Sequence, residues 1–179
     1  MKRGLLWLLG LLVIAACCAV GILGYIQPTQ ELDLRYDEVS VSANIMEIIR
    51  RRQAEIVLSE KETADLLKKY IAAHPQAGGR WSITGAAFAL QGDRLLADVN
   101  LLYDGKITAG ARLEFIIAWQ EPELIATHVK TAVRRAEIPA NWFQIDPIRI
   151  QAGSLLPPHV GIAGMRFPGN QINIALKWK

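Results

Sequence analysis

The sequence predicts an α+β protein in which an N-terminal transmembrane helix is followed by a curved antiparallel β-sheet, a meander packed against two helices. Three observations lead to this prediction. Residues 4–26 contain no charged side chain. Residues 41–52 and 59–73 carry apolar side chains at helical spacing. From residue 80 onward the pattern changes to alternation of apolar and polar residues, which is typical of strands with one buried face.

The uncharged segment begins after Lys2 and Arg3 and is closed by Gln27 and Pro28. At about 1.5 Å per residue it is long enough to cross a hydrocarbon core of roughly 30 Å. Because both cations lie on its amino side, the N-terminus should stay in the cytoplasm. We therefore predict a single-pass anchor in the cell membrane over residues 1–27 and one extracytoplasmic domain over 28–179.

Two alternatives exist for the first segment. Residues 14–17, Ile-Ala-Ala-Cys, resemble the lipobox of a lipoprotein, in which Cys17 would carry lipid. The chain nevertheless stays apolar through Gly24, where a mature lipoprotein turns polar. A cleaved signal peptide would need a shorter apolar region and a small-residue cleavage site. We favour the uncleaved anchor. A lipoprotein modified at Cys17 stays open as an alternative. Cys17 and Cys18 are the two cysteines, so the outer domain has no disulfide.

Two helices are predicted before the sheet. The first covers residues 41–52, with Ser42 as its N-cap, and short strands over 32–36 and 54–58 flank it. The second begins at a capping box formed by Ser59 and Glu62 and ends near residues 74–75. One face of this second helix carries four apolar side chains, those of Leu66, Leu67, Tyr70 and Ile71.

Strands are predicted over 81–90, 94–103, 106–119 and 123–134, followed by a connector over 135–143, further strands over 145–151 and 171–178, and a loop at 154–158. Asp104–Gly105 is typical of a two-residue type I′ hairpin turn. The third strand is long, which favours a tall or strongly curved sheet. Its alternation should bury Leu113, Phe115 and Ile117 and expose Arg112 and Glu114.

Charge and motifs give no indication of catalysis. The formal charge is +3, and Lys2 and Arg3 supply two of these charges, so the outer domain is nearly neutral and nucleic acid is not expected as a partner. Basic runs at 50–52, 68–69 and 134–135 are either solvated faces or sites that attract anionic lipid headgroups. The three histidines lie in separate contexts, without a metal-ligand or nucleophile motif. We expect no enzyme, no catalytic residue, no cofactor and no metal.

The overall layout of the chain resembles that of a known protein family. The anchor, the Ser59–Glu62 helix with Leu66 and Leu67, the meander with its Asp104–Gly105 turn, residues 135–139 and the closing segment 171–174 together are similar to the YpmS-like uncharacterised membrane proteins of Gram-positive bacteria. The resemblance covers most of the chain and implies no established activity. More distantly, helices against a long curved antiparallel sheet resemble tubular lipid-binding domains, whose hollow carries acyl chains.

This resemblance agrees with a physical argument about the apolar face of the meander. Small side chains on that face leave space, and any part that the helices do not fill is a dry groove suited to an acyl chain. The candidates for lining such a groove are Leu66, Tyr70, Leu95, Val99, Leu101, Ile107, Ala109, Ala111, Leu113 and Ile117. The alternative is that the helix simply fills the sheet as ordinary core.

Two functions follow. The first is a membrane-anchored lipid-binding or lipid-handling module of the cell envelope, with the bilayer as its partner and a lipid as its ligand. The second is an extracytoplasmic interaction domain that supports an envelope complex through a protein partner. An open apolar groove would favour the first function, and a filled core with an exposed apolar patch would favour the second.

Overall fold

The computed structural model describes residues 2–37, 55–139, 145–152, 156 and 159–178. Within these residues the fold is α+β: a curled antiparallel sheet forms a half-barrel and two helices accompany it. Helix α1 spans Lys2–Ile26 and helix α2 spans Glu60–Ala73. The helix predicted over 41–52 lies outside the described residues.

The strands form two sheets. The larger sheet has the order β2-β3-β4-β5-β6-β7, and β8 also pairs with β6. Its members are β2 (Gln76–Gly78), β3 (Trp81–Gln91), β4 (Arg94–Tyr103), β5 (Ile107–Gln120), β6 (Glu123–Val133), β7 (Ala136–Ile138) and β8 (Ile148–Ile150). The smaller sheet has the order β1-β10-β9 and consists of β1 (Glu55–Leu58), β9 (Val160–Arg166) and β10 (Ile172–Trp178).

The antiparallel meander β3–β6 is confirmed nearly residue for residue. Its β4–β5 turn has Asp104 at φ 50° and Gly105 at φ 68°, as a type I′ turn requires. The register is continuous from Arg94 opposite Ile116 to Tyr103 opposite Ile107. This regular pairing fixes which side chains share a face.

The small sheet is the main departure from the sequence prediction. Strand β9 was not expected, because its two glycines, Gly161 and Gly164, weaken the strand pattern. Strand β7 lies in the predicted connector over 135–143. The prediction of a strand over 32–36 is wrong, since these residues are not part of any strand.

The core lies between the two sheets. We call the side of the large sheet that bears Val99, Leu113 and Phe115 the inner face, and the side that bears Asp98, Asn100 and Arg112 the outer face. The inner face packs against side chains of the small sheet, among them Ile56, which is 1 % exposed. Burying such side chains supplies most of the driving force for folding.

The face assignment of β5 is confirmed with one correction. Leu113, Phe115 and Ile117 are buried and Arg112 is exposed. Glu114 is not exposed as expected, because its side chain is 16 % exposed and pairs with Arg94 at 2.5 Å. On the outer face, the paired side chains of Arg94 and Glu114 therefore shield each other from water.

Helix α2 has the predicted capping box. The Ser59 hydroxyl accepts from the backbone N–H of Glu62, and the Glu62 carboxylate accepts from the backbone N–H of Ser59 at 2.9 Å. The helix packs on the core through Leu67 and Ile71. Leu66 and Tyr70, expected to cover the apolar face of the sheet, are instead 39 % and 58 % exposed.

Of the residues that the structure describes, no helix has the length and apolar character needed to cross a membrane. The anchor over residues 1–27 stays a prediction from the sequence.

Candidate functional site

The segment after α1, residues 28–37, lies across the outer face of the large sheet; we call it the strap. It crosses three neighbouring strands at one level, where Gly85 of β3, Asn100 of β4 and Gly110 of β5 are paired in register. The Asn100 side-chain amide donates to the carbonyl oxygen of Gln30 at 2.9 Å. The strap therefore has a defined path over the sheet.

The two glycines at this level make room for the strap. A Cβ atom on Gly85 would lie 2.0 Å from the carbonyl oxygen of Leu32, and one on Gly110 would lie 2.8 Å from the Cα atom of Pro28. Both distances are too short for any side chain. Glycine at these positions thus permits the close approach of two backbones.

Beyond Gly85 the strap passes the edge of β3. The carbonyl oxygen of Asp33 accepts from the backbone N–H of Ala86 at 3.1 Å, and Leu34 packs against the core. Helix α2 holds the end of the strap through Lys61, whose ammonium donates to Asp37 at 2.6 Å. This hydrogen bond lowers the pKa of Asp37 and raises that of Lys61.

The C-terminal end of α1 is also attached to the sheet. The Arg134 guanidinium donates to the carbonyl oxygen of Gly24 at 3.1 Å and lies 5.3 Å from the ring centre of Tyr25. A cation at this end of a helix interacts favourably with the helix dipole. The apolar helix therefore ends directly on the outer face, beside Gly110 and Arg134.

Next to this attachment the outer face has an open cleft of about 450 Å³, which we call the outer-face cleft. It is lined by Gln91, Arg94, Leu96, Arg112, Glu114, Lys130, Ala132, Arg134, Arg135 and Glu137. Five of these side chains are cations and two are carboxylates. The register brings them together, because Lys130 lies opposite Glu114 and Ala132 opposite Arg112.

Ion pairs neutralise part of the cleft. Arg112 donates two hydrogen bonds to Asp98, at 2.7 and 2.9 Å, and Asp98 raises the pKa of Arg112. Lys130 pairs with Glu137 at 2.7 Å, which raises the pKa of the Lys130 ammonium. Counting Asp98 with the lining carboxylates still leaves two positive charges in excess. The cleft is therefore a basic site in a nearly neutral domain.

The predicted groove residues lie at three levels of exposure. Leu95, Val99, Ala109, Leu113 and Ile117 are buried, Leu101 and Ala111 are half-buried, and Ile107, Leu66 and Tyr70 are exposed. All except Leu66 and Tyr70 lie on β4 and β5 and face inward. The structure thus brings the sheet candidates together and leaves the two helix candidates outside the group.

The histidines do not form a common site. His74 ends α2, where its ring nitrogen contacts the carbonyl oxygen of Tyr70, and His159 is exposed ahead of β9. His128 contacts the Thr131 hydroxyl at 2.8 Å and the backbone N–H of Ile145, which ties β6 to the segment before β8. In the described part of the chain, no group of three or more His, Cys, Asp or Glu side chains could hold a metal ion.

The sequence shows the run Arg134–Arg135 but does not predict the cleft, because its five cations lie on three strands and a turn. The glycine pair at 85 and 110 was the signal for the strap, since a glycine inside a strand marks a close backbone approach.

Comparison with known proteins gives no assignment: no family model, no curated protein and no solved structure matches this chain. The resemblance to YpmS-like proteins stays a prediction from the sequence.

Proposed function

We propose that this protein is a non-catalytic, membrane-anchored module of the cell envelope that binds or handles lipid. In this proposal α1 is the single-pass anchor, its N-terminus lies in the cytoplasm and both sheets lie outside. The observation that carries the proposal is the attachment of the apolar helix to the sheet, through Arg134 at Gly24 and through Pro28 at Gly110. Such an attachment holds the sheet at the point where the anchor leaves the membrane.

Support for the anchor comes from the sequence and from exposure. Residues 4–26 carry no charge. Four successive apolar side chains of α1, from Leu11 to Ile14, are each at least 51 % exposed. Because four residues complete a helical turn, apolar surface faces outward on every side of the helix there. Exposed apolar surface of this kind calls for a covering, and a bilayer provides it.

Support for a lipid ligand comes from uneven coverage of the inner face. Leu90 and Phe115, at one end of the apolar face, are 3 % and 6 % exposed. Toward the β4–β5 turn the coverage is uneven, because Ala109 is buried whereas Ala111 is half-buried and Ile107 is 37 % exposed. An apolar surface that is closed at one end and incompletely covered at the other suits an acyl chain that enters beside the β4–β5 turn.

Two measurements on the full chain test this function. If Lys2 and Arg3 orient the anchor, protease added to intact spheroplasts should digest the domain that follows Pro28, whereas full protection would reject the placement. Native mass spectrometry of the protein purified from membranes should detect bound lipid. If no lipid is bound and another protein co-purifies with this one, the result would support the envelope-complex alternative instead.

A pair of alanine substitutions tests the inner face itself. Ala111→Trp, at the half-covered end, should leave the melting temperature nearly unchanged but abolish binding of a fluorescent acyl-chain probe. Ala97→Trp is the matched control, because Ala97 is 2 % exposed on the same face. Overpacking there should destabilise the fold by about 1–3 kcal/mol. Equal destabilisation by both substitutions, with no probe binding by the unchanged protein, would contradict an acyl-chain site.

A further inference from the structure

We propose that the outer-face cleft binds the anionic headgroup of a phospholipid in the membrane that holds α1. This site deepens the proposed function and rests on it, because the cleft reaches a headgroup only if α1 is a membrane anchor. The ligand is a phosphodiester with net negative charge. Its phosphate oxygens would accept hydrogen bonds from guanidinium groups, for which bidentate geometry is favourable.

The first reason is charge. Arg94 and Glu114 pair with each other, as do Arg112 with Asp98 and Lys130 with Glu137. These pairs leave Arg134 and Arg135. Arg134 contacts a carbonyl oxygen and an aromatic ring, neither of which carries a compensating charge. The Arg135 side chain forms no ion pair with any residue in the described ranges. The excess positive charge is therefore concentrated in the β6–β7 turn.

The second reason is the backbone of that turn. Arg134 has φ 53°, in the left-handed region where glycine or asparagine is favoured. A guanidinium thus occupies a position at which the backbone alone would favour glycine. The contacts of Arg134 with Gly24 and Tyr25 explain why an arginine occupies this position, since its side chain fixes α1. Arg135, the next residue, lines the same cleft.

The third reason is location. Arg134 both lines the cleft and touches the last turn of α1. Arg112 lies two residues beyond Gly110, where the strap crosses, so the two positions are roughly 7 Å apart along β5. If α1 spans the bilayer, its end lies at headgroup level and the cleft begins beside it. Cations close to an anionic surface are attracted to it.

Native mass spectrometry of the full chain in micelles with equal amounts of phosphatidylglycerol and phosphatidylcholine tests this site. The unchanged protein should retain phosphatidylglycerol preferentially. Arg134→Gly and Arg135→Gln should each reduce that preference about fivefold, the effect expected from one cation near an anionic surface. Arg80→Gln is the matched control, because Arg80 is 69 % exposed and lies outside the cleft. It should leave the preference unchanged.

Every other outcome would contradict either the cleft as the site, the phospholipid as the ligand, or the proposed function. Bound lipid without headgroup preference, or a preference that neither arginine variant reduces, would reject the cleft as the site while leaving a lipid-binding function. Displacement of phosphatidylglycerol by an equal concentration of inorganic phosphate would identify free phosphate as the ligand. No bound lipid at all would reject the proposed function and this site together. Arg135→Gln keeps the test decisive if Arg134→Gly disturbs the attachment of α1.

Discussion

The two faces of the large sheet are built from the same strands and have opposite characters. On the inner face Val99, Leu113 and Phe115 are all below 10 % exposed and pack against the small sheet and α2. On the outer face the neighbouring residues are Asp98, Arg112 and Glu114, which form ion pairs beside the strap. The inner face thus provides the stability of the fold, and the outer face provides the attachment of α1 and the basic cleft.

This difference follows from the period of two. Successive side chains along β5 point to opposite faces, one toward the core and the next toward solvent. A single strand can therefore contribute to the core and to the outer-face cleft at the same time. Substitutions at neighbouring positions should therefore have very different effects, and such pairs of variants test whether the two faces differ in this way.

The largest effect should come from a charge on the inner face. Phe115→Asp places a carboxylate at a position that is 6 % exposed, and we expect a loss of more than about 4 kcal/mol, enough to unfold the protein. Ile116→Asp is the matched control on the outer face, where Ile116 is 37 % exposed. Its effect should stay at about 1 kcal/mol, the span of strand propensity. Similar thermal melts for the two variants would mean that the faces are assigned incorrectly.

A smaller effect is expected where the strap crosses. Gly85→Ala puts a Cβ atom 2.0 Å from the Leu32 carbonyl oxygen, so backbone must move, and we expect a loss of about 1–3 kcal/mol in chemical denaturation. Gly164→Ala provides the control, since nothing lies within 4 Å of its Cβ position. An unchanged stability of Gly85→Ala would show that the strap does not lie against β3.

The cap of α2 should contribute less again. Ser59→Ala removes the hydroxyl that accepts from the Glu62 N–H, and loss of an N-cap costs about 1 kcal/mol. Lys69→Ala, at an exposed position of the same helix, should be neutral or slightly stabilising because alanine favours helix. Denaturant titration of both variants checks this. If the two variants were equally stable, the capping box would contribute nothing measurable to the stability of α2.

The smallest effect concerns pH. The Lys61 ammonium lowers the pKa of Asp37 below its ordinary value of 3.8. The folded carboxylate therefore binds its proton less tightly than the unfolded one, so this contact stabilises the fold above about pH 4 and is lost as the pH falls through the lowered pKa. NMR titration should return the Asp37 pKa to its ordinary value in Lys61→Met. An identical titration in both proteins would show that the strap end is free.

The sequence predicts local features better than distant ones. The Asp104–Gly105 turn, the Ser59–Glu62 cap and the alternation of β5 are confirmed, because each depends on residues within a few positions. The small sheet was missed because β1 pairs with β10 across more than a hundred residues. The cleft was missed for the same reason, since Arg94 and Arg134 meet only through the register of β4, β5 and β6. Leu66 and Tyr70 were misplaced because helical spacing does not say which edge of an apolar stripe packs.

We propose that α1 holds the outer face, with its cleft, toward the membrane. Fluorescence quenching by headgroup-labelled lipid tests it on full chains in vesicles, with Cys17 and Cys18 replaced by serine and one new labelled cysteine. Glu137→Cys places the label in the cleft. Val57→Cys places it on the far side, since Val57 is 47 % exposed between the buried Ile56 and Leu58 of β1. We predict strong quenching at position 137 and weak quenching at position 57, whereas equal or reversed quenching would contradict this orientation of the outer face.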